Sequence, residues 1–228
     1  MFGIAVMGLF GSALPFVLIA WAMLSITAGL ASILNATVPI FTALIGALWL
    51  HEQLGASRAA GLAVGFAGVL LLAADQADFK PGGSGWAIVA MLLATLSYGF
   101  AANLTRRLLG GVPALVSAAG SQLVAAIILL PFALWFWPSV QPGGMAWSAA
   151  IILGLGCTAL AFLLFFRLIA NVGASRAVTV TFLIPLFGVL WGSVFLGERL
   201  DAGMFFGGVV VVLGTTLATG VLRWPARA

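Results

Sequence analysis

The residue types that most often carry catalysis or bind metal ions are scarce in this 228-residue sequence. It contains one cysteine, Cys157, and one histidine, His51, and it has no HExxH motif and no paired carboxylates. The pentapeptide GASRA occurs at 55–59 and again at 173–177, and a serine between small residues is also found at nucleophile elbows. Because each copy begins a predicted helix without a histidine and an acid to activate the serine, helix capping is the better interpretation. The sequence therefore predicts no enzyme, no cofactor and no metal site.

The composition indicates a membrane protein instead. Hydrophobic residues make up 64% of the chain and charged residues only 6%, whereas soluble domains carry about 25% charged residues. Apolar segments of about 20 residues, the length that a helix needs to cross a bilayer, follow one another along the sequence. The net charge of +4 is better explained by loop residues that set membrane orientation than by nucleic-acid binding. The expected surroundings are therefore the lipid bilayer.

Eight membrane-spanning helices are predicted. The segments do not alternate between polar and apolar residues, as the strands of a membrane β-barrel would, and turn-forming stretches rich in glycine, proline, serine and aspartate separate them. The predicted helices cover residues 1–24, 29–50, 58–74, 85–106, 113–137, 146–169, 174–196 and 203–222. The predicted fold is an all-α polytopic membrane protein.

Basic residues in the connecting segments indicate the orientation of the chain. With eight spans, the connections fall alternately on the two sides of the membrane. One side receives Arg58, Arg106, Arg107, Arg167, Arg176, Arg223 and Arg227, and the other receives only Lys80 and Arg199. Since basic loop residues are retained in the cytoplasm, both termini are predicted to be cytoplasmic. The high content of alanine, glycine and arginine favours the inner membrane of a bacterium.

Two parts of the sequence repeat the same layout. The segment NATVPIFTALIGALWLHEQL at 35–54 aligns without a gap with TFLIPLFGVLWGSVFLGERL at 181–200. Pro39 then matches Pro185 and Glu52 matches Glu198, each at an offset of 146 residues (185 − 39 and 198 − 52). Apolar composition alone would not align a proline and a glutamate in one register, so we predict an internal duplication. Because the offset amounts to five spans, the second copy has the opposite orientation, an arrangement common in secondary transporters.

These motifs resemble the EamA-type members of the drug/metabolite transporter superfamily. The resemblance rests on the helix with a central proline, on the LHEQL or LGERL that follows it, and on a next helix with glycines seven residues apart, namely Gly61 with Gly68 and Gly207 with Gly214. It implies a ten-helix exporter or importer of metabolites, amino acids or drugs. On this basis residues 1–74 form a partial first repeat and residues 85–222 a second one. The first two helices of the family fold would be absent, and we expect an N-terminally incomplete chain.

Polar residues at mid-span depth are the candidates for substrate contact. Asn35 and Thr181 occupy equivalent positions in the two copies, and Tyr98 lies near the same depth. Burial of an asparagine in an apolar environment is costly unless partners satisfy its amide group. These three residues are therefore the first candidates for a substrate-binding site, and Trp21 and Gln122 are the next.

The repeated prolines and glutamates have both a structural and a functional interpretation. Pro39 and Pro185 each remove a backbone hydrogen bond, which predicts a hinge or a bend that lines a pathway; a packed kink is the alternative. Glu52 and Glu198 lie at helix C termini, where the helix dipole disfavours a carboxylate. We predict a structural clasp in which backbone N–H groups at the start of the next helix bind each carboxylate, with gating as the alternative.

Small residues also recur at helical spacing. Gly61, Gly65 and Gly68 share one helix face, and Gly188 and Gly192 share another. Such faces allow two helices to approach closely. Packing within the chain is the preferred interpretation, and a homodimer through the third and eighth spans is the alternative.

These features predict a secondary transporter, expected to be an exporter, of small metabolites, amino acids or drug-like compounds. The mechanism would be alternating access between inverted halves. No acidic residue lies within a predicted span, which argues against a proton relay at the membrane midplane. The alternatives are a non-transporting helical membrane subunit or an N-terminally truncated remnant.

Overall fold

The fold is all-helical in the part of the chain that the computed structural model describes, residues 1–80, 83–109, 111–172, 178–199 and 201–221. The helical runs are α1 (Phe2–Ala22), α2 (Ala28–Trp49), α3 (Ala56–Gln76), α4 (Ser84–Leu108), α5 (Ala114–Trp135), α6 (Gly144–Ile151, Ile152–Leu160 and Ala161–Val172), α7 (Leu183–Leu196, after a 3-10 turn at Val178–Phe182) and α8 (Ala202–Ala218). The predicted start of the seventh span and the second GASRA motif lie outside the described residues.

Six of these runs, α1 to α6, contain segments long and apolar enough to cross a membrane, and α7 and α8 are shorter apolar helices in the described part of the chain. The all-helical prediction is confirmed, and the spans are those of a polytopic membrane protein. That all eight helices cross the membrane remains a prediction.

The helix α2 is interrupted where the sequence predicted a bend at Pro39. It consists of two helical segments, Ala28–Asn35 and Val38–Trp49, and Pro39 lies in the first turn of the second. Proline is well tolerated there because the first N–H groups of a helix have no partner within it. The structure thus differs from a continuous kinked helix, because the proline lies in the first turn of a new helical segment.

Hydroxyl groups of α2 itself and of neighbouring helices satisfy the backbone at this interruption. Thr37 donates to the Leu34 carbonyl oxygen at 2.7 Å, and its hydroxyl lies 3.1 Å from that of Thr95 on α4. Thr215 on α8 lies 2.9 Å from the Ala36 carbonyl oxygen. Since lipid cannot bond a released carbonyl, these contacts are what permit a break inside an apolar helix.

Two helices widen locally into π-helical turns. In α1 the turn covers Leu9–Ala13, and Ser97 of α4 donates to the Phe10 carbonyl oxygen at 2.7 Å. In α6 the corresponding turn covers Ile152–Leu160. A shift of the first segment by 146 residues gives 155–159, which lies within the second. The two π turns therefore occur at matching positions of the predicted repeat.

The closest helix pair is α3 with α8. A Cβ atom at Gly214 would lie on the Gly65 backbone, and one at Gly68 would lie 2.7 Å from the Val211 nitrogen. The glycine face of α3 is thus filled by α8 of the same chain, as expected for packing through small residues.

The helix α4 is the most buried long helix and joins α1 to α2. A Cβ atom at Gly99 would lie 2.9 Å from the Thr42 nitrogen, so the two backbones touch at this crossing. By contrast, no residue in the apolar window of Gly144–Phe165 is buried. Within this window, Phe162 and Phe165 line the cavity described below.

We expect Gly214→Ala to destabilise the folded protein, because the new methyl group has no space against Gly65. Overpacking of this kind costs about 1–3 kcal/mol. The measurement is the apparent Tm of the purified protein in detergent. Gly154→Ala is the matched control, since no atom lies within 4 Å of its Cβ position. Equal melting temperatures for the two variants would contradict the proposed α3–α8 contact.

We also expect Thr215→Val to lower the apparent Tm, because the isosteric side chain leaves the buried Ala36 carbonyl without its donor. An unsatisfied buried acceptor costs about 1–3 kcal/mol. The neighbouring Thr216→Val is the control, since the Thr216 hydroxyl donates to Leu213 of its own helix at 2.8 Å. The interpretation is wrong if Thr216→Val is the more destabilising of the two.

Candidate functional site

A cavity of about 1180 Å³ lies between α2, α4, α6, α7 and α8. Its uncharged polar lining comes from α2, α4, α8 and the turn before α7, and three phenylalanines form part of the apolar wall. The uncharged polar residues are Ser32, Asn35, Thr42, Tyr98, Thr181, Thr215 and Thr219, and the phenylalanines are Phe162, Phe165 and Phe182. The cavity thus combines an aromatic wall with a few hydrogen-bonding groups, as small-molecule sites commonly do.

Asn35 lies on the wall of this cavity. Its Oδ1 atom is buried and has no donor in the described part of the chain, a state shared by two other buried side-chain atoms there. Its backbone carbonyl also cannot accept the usual helical hydrogen bond, because Pro39, four residues later, has no N–H group. The same relation holds between Pro185 and Thr181, which also lines the cavity. A buried unpaired oxygen is costly, so a rotation of the Asn35 side chain toward the cavity would allow a bound molecule to relieve that cost.

Asn103 fixes the wall that carries Tyr98. Its amide nitrogen donates to the carbonyl oxygens of Thr42 and Gly99, each at 2.9 Å, and the residue is fully buried. The Thr42 hydroxyl donates to the Val38 carbonyl oxygen at 2.8 Å. These bonds hold α4 against α2, so that Tyr98 and Thr42 have defined positions on the cavity surface.

The charged residues of the lining lie at one end of the cavity, called here the Glu52 end. Arg106 donates to Glu52 Oε1 at 2.6 Å, and Arg58 lines the same region. The Arg106 side chain is 59% exposed, so the cavity reaches the surface of the protein there. An ion pair this exposed contributes at most about 1 kcal/mol to stability, and it can separate readily.

The opposite end of α2 carries a different contact, the Glu198 clasp. The Glu198 carboxylate accepts hydrogen bonds from the backbone nitrogens of Ala28 at 2.7 Å and Gly29 at 3.0 Å. These are N-terminal amides of α2, where the helix dipole favours a negative charge. The sequence prediction assigned this role to the next helix, α8; the structure gives it to a helix about 170 residues away. Glu52 likewise bonds Arg106 and not the start of α3.

The two glutamates follow matching turns. The Glu198 nitrogen donates to the Gly192 carbonyl oxygen at 3.1 Å, and the Glu52 nitrogen donates to that of Gly46 at 3.2 Å. A Cβ atom at Gly192 would overlap the Glu198 carboxylate, and one at Gly46 would lie 3.1 Å from Glu52 Oε2. Each carboxylate therefore folds back across a glycine, and this pair shares the offset of 146 residues (192 − 46).

The structure brings together only part of the predicted site. Asn35, Tyr98, Thr181, Pro39 and Glu52 line the cavity. The other predicted residues, Glu198 among them, are described but are not among the lining. Trp21 is 51% exposed on α1, Gln122 is half-buried on α5, and Pro185 is buried in α7.

Sequence reasoning missed several residues of the site. Ser32 and Thr42 are weak signals in a membrane helix, because small hydroxyl residues usually serve packing. Arg58 and Arg106 were interpreted only as residues that set the membrane orientation, although both line the cavity. Gly46 and Gly192 could have been found from the repeat, since each precedes its glutamate by six residues.

Comparison with known proteins places this cavity in a transporter fold. Residues 1–74 and 85–220 match the EamA-like transporter family. The chain superposes on a solved crystal structure with a TM-score of 0.63 at 24% identity, over 96% of this chain and 75% of the other. At this identity the match indicates the fold alone.

Two curated relatives carry transport functions in their names. One is a probable terminal-alkyne amino-acid exporter of Streptantibioticus cattleyicolor, 26% identical over 94% of this chain and 71% of the relative. The other is a probable amino-acid metabolite efflux pump of Escherichia coli K12, 25% identical over 86% of this chain and 69% of the relative. Because the family match extends over most of the sequence, the chain belongs to the EamA-like transporter family.

Proposed function

We propose that this protein is a secondary transporter that exports small organic metabolites by alternating access, and that the cavity is its substrate site. The observation that carries the proposal is a cavity of about 1180 Å³ whose wall combines Asn35, Tyr98 and Thr181 with three phenylalanines. A packed structural core would not leave a space of that size.

We further propose that the eight helices all span the membrane and form an inverted repeat, with residues 1–74 as a partial first copy and 85–222 as the second. The matching π turns, glycines and glutamates support this arrangement. So does the location of Glu198 and Glu52 at opposite ends of α2, whose 22 residues extend over about 33 Å. With both termini in the cytoplasm, the Glu52 end faces the cytoplasm and the Glu198 end faces outward, as in a bacterial inner membrane.

The chemistry of the lining indicates the kind of substrate. A donor group, such as an amine or an amide, would bond Asn35, and an apolar body would pack against Phe162, Phe165 and Phe182. An anionic group would be attracted to Arg58 at the cytoplasmic mouth. Amino acids and their derivatives combine these features, and the names of the two relatives support this substrate class.

Transport in proteoliposomes tests the proposal. We expect the purified protein to release preloaded radiolabelled amino acids faster than protein-free liposomes do. Asn35→Leu should reduce the flux at least about fivefold, because it removes a hydrogen-bond acceptor worth about 1–3 kcal/mol. Tyr98→Phe should reduce it less, since its ring still forms the wall.

Ser117→Ala is the control, because Ser117 is a buried polar residue on α5 that is not among the described lining residues. It should transport like the parent protein. Absence of flux across a panel of amino acids and amphipathic amines would favour a non-transporting membrane subunit. Equal flux in all three variants would mean that the substrate site lies outside this cavity.

A further inference from the structure

We propose that the Glu198 clasp is the outer gate of the transporter, and that its release opens the cavity to the side opposite the Glu52 end. Glu198 is then a positioning residue, since it acts through α2 and α7 and does not touch the substrate. This inference rests on the proposed alternating access, but its test requires no knowledge of the substrate.

The clasp closes one end of the cavity directly. It fastens the last turn of α7 to the first turn of α2, through hydrogen bonds from Ala28 and Gly29 to one carboxylate. One turn deeper, a Cβ atom at Gly188 of α7 would overlap the Ser32 side chain of α2. Ser32 lines the cavity, whereas Ala28 and Gly29 are not among its described lining residues. The cavity therefore ends beneath the clasp.

The bonds of the clasp are polar. Its two sides are a carboxylate and a pair of backbone amides; Gly29 and Gly192 lie against the carboxylate, and Met204 and Val189 pack beside Gly29. Glu198 is only partly buried, so water can replace both partners when the helices part. Separation then exposes polar groups that hydrate well, and it also moves these two apolar side chains.

The Glu52 end contains the same turn in a different state. Glu52 folds back over Gly46 as Glu198 folds back over Gly192, but its carboxylate bonds the exposed Arg106 and no helix N terminus in the described part of the chain. The cavity reaches the surface at this end. The chain thus contains two matching turns that each carry a glutamate. The Glu198 turn, which bonds helix amides, lies at the closed end of the cavity, and the Glu52 turn lies at the open end.

Thiol accessibility at Ser32→Cys in a Cys157→Ser background tests the gate. A membrane-impermeant methanethiosulfonate reagent is applied to right-side-out and to inside-out membrane vesicles, and the labelling rate from each side is measured. In the parent, we expect labelling from the Glu52 side only. The side from which the parent is labelled identifies the open side, and the other side is then the closed one, so the test does not depend on the predicted orientation.

Glu198→Gln should increase the labelling rate from the closed side at least about tenfold, because each hydrogen bond to a charged group shifts an equilibrium by that factor or more. Gly192→Ala should have the same effect by a second route, since its methyl group displaces the carboxylate. The matched controls at the other end, Glu52→Gln and Gly46→Ala, should leave the closed-side rate unchanged.

Four results would overturn the proposed gate. The first is a closed-side labelling rate that stays unchanged in folded Glu198→Gln and Gly192→Ala, and the second is an equal increase of that rate in the two controls. The third is labelling of the parent at equal rates from both sides. The fourth is loss of folded protein in both Glu198→Gln and Gly192→Ala. The last would make the clasp a fixed structural element. Closed-side opening in a protein that transports none of the amino acids tested would support the gate and refute only the proposed substrate.

Discussion

A backbone carbonyl released inside a bilayer has no water to bond, and the architecture of this protein depends on hydroxyl groups that replace that water. Ser97 satisfies the widened turn of α1, and Thr37 and Thr215 satisfy the interruption of α2. The cavity lies beside this interruption, and Asn35, Ala36 and Thr215 are among its lining. The Asn35 amide oxygen lacks a donor in the described part of the chain.

Glycine has two separate uses in the same fold. Between α3 and α8 it brings two backbones into contact and makes a dry, rigid pair. At positions 46 and 192 it instead makes room for a carboxylate to cross its own helix. The first use fixes the scaffold, and the second permits polar contacts at the ends of α2 and α7. A transporter needs both properties, because one set of helices must stay together while another moves.

The features that could be predicted from the sequence are those that depend on a single segment or on the register of the repeat. The apolar lengths predicted the helices, and the shared offset predicted that Asn35 and Thr181 lie at comparable depth. Trp21 and Gln122 could not be assigned to a face, because α1 and α5 are apolar all round and carry no periodic signal. The partner of Glu198 was also unpredictable, since helix ends 170 residues apart meet only through tertiary packing.

The Thr215 hydroxyl has one hydrogen but two carbonyl oxygens within reach, Ala36 at 2.9 Å and Val211 of its own helix at 2.8 Å. It can therefore turn from one to the other without ever being left unpaired in the hydrocarbon. Loss of the contact between α2 and α8 would cost the α2 carbonyl its donor, but the hydroxyl would keep a partner within its own helix. This hydrogen bond therefore leaves no unpaired donor in the hydrocarbon, whether it is made or broken.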